Sequence, residues 1–156
     1  MEDYLKPHRD LESERQLKTI IQKIQSLMYE QKNIAVIENM LKEATEFIKA
    51  SDRVLDLTVI ESYESWTDLD GLVGELTMEV PMLSAVSKED FVSIVQLVRE
   101  AIKTEQTPND VPLDYFMNFY REFFSLNFPN TTDDLFDEIF EDTSLDKLVD
   151  MVFPQP

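Results

Sequence analysis

Residues 131–153 read TTDDLFDEIFEDTSLDKLVDMVF. The stretch holds eight acidic residues, one lysine and a row of large apolar side chains. Leu135, Phe136, Ile139 and Phe140 recur at spacings of three and four, which is the period of one helix face. Asp133, Asp137 and Glu141 form one acidic row at i, i+4, i+8, and Asp134, Glu138 and Asp142 form the adjacent row. Thr131 or Thr132 is placed to cap a helix over 132–141. Thr143, with Asp146 three residues on, is placed to start a last helix that stops before Pro154. The pattern predicts an acidic, amphipathic two-helix unit that needs an apolar surface to dock on.

The segment just before it supplies that surface. Tyr115, Phe116, Phe119, Tyr120, Phe123 and Phe124 lie on one broad helical stripe, opened by Asp110 and Pro112 and ended by Pro129 and Asn130. Each buried phenylalanine is worth roughly 1.5–3 kcal/mol, so the stripe reads as core before it reads as a ligand pocket. Working backwards, Ser87 caps a further helix with Asp90 at its third position, Val86 is set to staple against Phe91, and Ile94, Val95, Val98, Ala101 and Ile102 continue its inner face.

Leu17, Ile20, Ile21, Ile24, Leu27 and Met28 mark a helix over 11–30. The same spacing returns at Ile37, Met40, Leu41, Ala44, Phe47 and Ile48, with Asn33 as its cap. Together they read as an antiparallel helical hairpin over 11–50. Leu55, Leu57 and Val59 alternate like a strand, but nothing else in the chain offers a strand partner. Residues 53–63 are therefore expected to be helical, with Leu55, Val59 and Tyr63 inward. Thr67 and Asp70 resemble a capping box for a short helix that buries Leu69, Leu72, Val73 and Leu76. The expected fold is all-α: a single-domain bundle of six or seven helices over 11–153, behind a flexible leader at 1–10.

With 156 residues and 43% hydrophobic content, the chain has the apolar surface that disordered acidic tails lack. Its net charge is −18, far beyond the roughly 2–8 charges that solubility asks of a small domain. Residues 1–53 hold 9 Lys/Arg against 10 Asp/Glu, whereas residues 54–156 hold 5 against 22. Such a chain repels nucleic acid and anionic membranes, which are polyanions themselves, and attracts a basic protein.

Enzyme chemistry finds little to work with. There is no cysteine, which removes thiol nucleophiles, disulfides and Cys-based zinc sites together. The one histidine, His8, sits in the leader, where it cannot serve a triad or a metal site within the fold. No glycine-rich phosphate loop occurs. Asp68, Asp70 and Gly71 match positions 3, 5 and 6 of a calcium loop, but Trp66 and Thr77 stand where its first and last ligands belong. Asn130-Thr131-Thr132 forms a glycosylation sequon that reads more simply as a turn and cap. No catalytic, cofactor-binding or metal site is expected. The charged N-terminus, with no apolar signal region or long apolar run, leads to the expectation of a cytoplasmic protein.

What remains is the acid itself. Six charges on residues 131–142 span about 18 Å, one per roughly 3 Å of helix. A single nucleic-acid strand carries about one per 3.4 Å. In size and charge, without any shared motif, the chain resembles small acidic inhibitors: DNA-mimicking anti-restriction and anti-CRISPR proteins, and immunity proteins that neutralise basic nucleases. The resemblance implies a non-enzymatic inhibitor whose partner is a basic nuclease or another nucleic-acid-binding protein. The candidate contact residues are Asp133, Asp134, Asp137, Glu138, Glu141 and Asp142, joined by Asp68, Asp70 and Glu75 from a second acidic window between Arg53 and Lys88. Two alternatives stand beside it: a helical adaptor that binds through an apolar face, and an activation-type segment at the C-terminus anchored by Leu135, Phe136, Ile139, Leu145, Leu148 and Val152.

Overall fold

The structure, a computed structural model, describes residues 1–30, 34–49, 53–83, 85–129 and 134–153. Among them are eight α-helices, three short 3-10 turns and no strand. The fold is all-α, with two helices of only six and seven residues bringing the count above six or seven. The cap positions expected at Asn33, Thr131 and Thr132 lie outside the described residues, as does the sequon. No helix among the described residues is long and apolar enough to cross a membrane. The chain divides into two compact units, Arg9–Glu79 and Met1–His8 with Val80–Pro156.

The Arg9–Glu79 unit holds α1 (Leu11–Tyr29), α2 (Ile34–Thr45), α3 (Leu57–Ser62) and α4 (Leu69–Thr77). Its core is mostly aliphatic. Leu17, Ile20, Ile21 and Ile24 of α1 meet Ile37 and Ala44 of α2, and Leu55, Ile60, Tyr63, Leu72, Val73 and Leu76 complete the cluster. Three of the four helices start at an aspartate. Asp10 accepts hydrogen bonds from the Ser13 amide at 3.0 Å and the Ser13 hydroxyl at 2.7 Å. The amide, then the hydroxyl, hold its carboxyl below the usual carboxylate range. Asp56 accepts from the Val59 amide at 2.9 Å, and Asp68 from the Gly71 amide at 2.7 Å.

Two local expectations shift here. In residues 53–63 the helix starts only after Asp56, because that side chain ties the first turn down. Leu55 is buried ahead of the helix, and Ile60 takes the inward place expected for Val59. At α4 the cap is Asp68, one residue after Thr67, since Asp68 has the extended backbone (φ −100°, ψ 179°) that a cap requires.

The second unit holds α5 (Lys88–Thr104), α6 (Leu113–Asn127), α7 (Asp134–Phe140) and α8 (Leu145–Val152). Ser87 caps α5 by accepting from the Asp90 amide at 3.0 Å. The core is aromatic. The Phe91 ring meets those of Phe124, Phe128 and Phe153 edge-on at centroid distances of 6.1, 5.5 and 5.8 Å. Tyr120 packs edge-to-face with Phe116 and Phe119, both at 5.0 Å. Such geometry puts the positive ring edge on the negative face and adds to the area buried.

The first eight residues, read from the sequence as part of a loose leader, pack into this unit. Leu5 is fully buried, and its carbonyl accepts from the buried Tyr120 hydroxyl at 2.8 Å. Asn109 donates to the Pro7 carbonyl at 3.1 Å, and Tyr115 to the His8 carbonyl at 3.3 Å. Burial pushes the Tyr120 phenol far above its ordinary range.

Candidate partner-binding surface

The acidic stretch becomes a corner between α7 and α8. Leu135, Phe136 and Ile139 of α7 and Leu148 of α8 are buried, which fixes the apolar side of both helices. The α7 end is closed by two backbone bonds: the Thr143 amide donates to the Glu138 carbonyl at 3.2 Å, and the Asp142 amide to the Ile139 carbonyl at 3.4 Å. This is a Schellman closure, with Asp142 in the left-handed position (φ 62°) that glycine usually fills. Thr143 thus ends α7 instead of starting α8. The cap of α8 is Ser144, which accepts from the Lys147 amide at 3.3 Å.

Arg99 of α5 holds the corner from below. Its guanidinium donates to the carbonyls of Ile139 at 3.0 Å, Thr143 at 2.6 Å and Glu138 at 3.5 Å. One cation thereby meets two carbonyls at the negative end of α7 and a third, that of Thr143, in the turn beyond it. Arg99 Nε also lies 4.0 Å from the exposed Asp142 carboxylate. No spacing rule picks out an arginine forty residues upstream as the partner of this turn, and the sequence reading missed it.

The candidate acids separate into groups. Asp137 and Glu141 are exposed one helical turn apart, and neither has a basic partner among the described residues. Like charges at i, i+4 repel by a few tenths of a kcal/mol, so the fold gains nothing from the pair. Glu138 is half-buried, and its carboxylate accepts from the Thr143 hydroxyl, which draws it into the closure. Asp142 leaves the second acidic row because the left-handed turn carries it past the end of α7. Asp134 opens α7, and Asp133 lies outside the described residues. Phe140 stands 49% exposed beside the free carboxylates, against Phe136 at a centroid distance of 5.1 Å.

The cations of this unit face rings and carbonyls as well as water. Arg121 sits over the Phe136 ring at 5.0 Å and Lys88 over Phe153 at 5.9 Å. With 17 Asp/Glu against 6 Lys/Arg, the unit carries a net −11.

Asp68, Asp70 and Glu75 lie in the other unit and each has a structural partner. Asp68 is the α4 cap. Asp70 pairs with Lys18 at 2.8 Å. The Glu75 carboxylate lies 3.4 Å from Arg53, whose guanidinium also donates to the Glu75 carbonyl at 2.6 Å. Comparison of the chain with protein-family models, curated proteins and solved structures found no match.

Proposed function

We propose that this protein is a non-enzymatic, acidic inhibitor that docks on the basic surface of a nucleic-acid-binding protein, such as a nuclease. The observation that carries the reading is the pair Asp137 and Glu141: exposed on α7, one turn apart, without a basic partner among the described residues, on a unit of net −11. Carboxylates that cost the fold a little and stand about 6 Å apart along an exposed helix face suit a basic surface built for phosphates. Opposite charge also speeds encounter. The Arg99-braced corner supplies a rigid mount, which limits the ordering cost of binding. The activation-segment reading fits less well, because Leu135, Phe136, Ile139 and Leu148 are already buried within this chain.

The test is capture of a partner by the immobilised full chain. Nucleic acid should displace that partner, and affinity should fall about tenfold or more between 50 and 200 mM salt. Asp137→Asn with Glu141→Gln should weaken capture further. A complex indifferent to salt, to nucleic acid and to both substitutions overturns the proposal.

A further inference from the structure

Met1–His8 forms a strap that the second unit holds as a receptor holds a short peptide. Two amide bonds close within the strap, Leu5 donating to the Glu2 carbonyl at 3.1 Å and Lys6 to the Asp3 carbonyl at 3.0 Å. The His8 ring folds back on Asp3, with Nε2 3.1 Å from the carbonyl and 3.0 Å from the carboxylate. The strap is thus a small turn with a shape of its own. It meets the rest of its unit through few groups. Leu5 and Pro7 are buried, whereas Glu2, Asp3, Tyr4 and His8 are exposed.

Three side-chain donors read its backbone. The Tyr120 hydroxyl donates to the Leu5 carbonyl at 2.8 Å, the Asn109 amide to the Pro7 carbonyl at 3.1 Å and the Tyr115 hydroxyl to the His8 carbonyl at 3.3 Å. Asn109 and Asp110 both have a left-handed backbone (φ 60° and 54°), which persists in residues other than glycine where contacts hold it. None of these three bonds belongs to a helix ladder, so the strap can leave without breaking one. Backbone groups met by placed partners, with an apolar side chain in a pocket, are the terms of peptide recognition: the bonds give affinity and the pocket gives choice.

We infer that residues 2–8 are the resident ligand of a peptide slot built by α6 and the Pro108–Asp110 turn. The slot takes a short segment with a leucine and, two residues on, a proline. The strap opens as one unit while the helices stay folded, and the open slot accepts the same segment from outside the chain. Neither step involves the acidic corner.

Native-state amide exchange on the full chain tests the opening. The Leu5 and Lys6 amides should exchange about tenfold or more faster than those of Val98 and Phe119, with little dependence on low denaturant. Exchange of Leu5 and Lys6 only at the rate and denaturant slope of those helical amides overturns the inference. Leu5→Asp tests the slot. The variant should keep its far-UV helicity and move the amide signals of residues 2–8 to random-coil positions. A synthetic peptide of residues 1–10 should then bind it saturably and shift the Asn109, Tyr115 and Tyr120 signals. The same peptide with Leu5→Asp should not bind. The wild-type chain should not respond either, because its tethered strap holds the slot at an effective concentration of about 1 mM. Loss of helicity in the Leu5→Asp chain marks the strap as core and overturns the inference, and so does a released slot that takes up no peptide.

Discussion

The two units hold similar amounts of acid and use it differently. Arg9–Glu79 has 15 Asp/Glu against 8 Lys/Arg, and the other unit 17 against 6. In the first, aspartates cap α1, α3 and α4, and Glu14, Asp70 and Glu75 face Arg9, Lys18 and Arg53. Glu14 is only 5% exposed, and Arg9 answers it with two bonds of 3.0 and 2.6 Å. In the second, the side-chain caps of α5 and α8 are serines, and Arg99, Arg121 and Lys88 turn to carbonyls and rings. Acid content alone therefore separates nothing. The direction of the basic groups decides whether a carboxylate is engaged within the fold or stands free at the surface.

The contrast between the cores gives the largest expected effect. Phe91→Ala removes a fully buried ring that touches three others. It should cost about 3–5 kcal/mol by denaturant unfolding. A loss below about 1 kcal/mol, the range of many surface substitutions, would mean that the aromatic unit does not rest on this ring. Arg99→Met comes next. It removes the guanidinium from the Glu138, Ile139 and Thr143 carbonyls and should cost about 1–3 kcal/mol. Amide exchange should rise at Asp142 and Thr143, whose amides close the turn. Arg99→Lys should recover only part, since a single ammonium cannot copy the planar fork.

Tyr120→Phe is smaller at neutral pH, about 1 kcal/mol for the lost bond to Leu5. Its signature lies in the pH profile. A phenol raised by folding contributes stability that is fully present below its unfolded value of about 10 and is lost as pH rises beyond it. The wild type should therefore weaken steeply in alkali, and the phenylalanine variant should weaken less. Identical alkaline limbs would remove Tyr120 from the account.

Much of this was legible in the sequence. The positions Leu17, Ile20, Ile21 and Ile24, and Phe91, Ile94, Val95, Val98 and Ala101, are all buried as their spacing requires. Ser87 caps where its pairing with Asp90 placed it. The two misplaced caps were off by one residue, at Thr67/Asp68 and Thr143/Ser144. In each pair both residues can cap, and the choice rests on which one takes the non-helical backbone that aims its oxygen at the amides. Arg99 and the Leu5–Tyr120 bond were hidden for another reason: their partners lie 40 and 115 residues away, where helical periodicity carries no information. For the acids, the sequence supplied their number and spacing, while the carboxylates already engaged became visible only with their donors in place.

The central claim is that Asp68 holds a helix end of the fold, whereas Asp137 and Glu141 stand exposed on α7 without a basic partner among the described residues. Denaturant midpoints of two variants test it most directly. Asp68→Ala removes the α4 cap and should lower stability by about 1 kcal/mol. Asp137→Asn with Glu141→Gln relieves an exposed like-charge pair and should leave stability unchanged or raise it by a few tenths of a kcal/mol. A double substitution on α7 that destabilises as much as loss of the cap would contradict the claim.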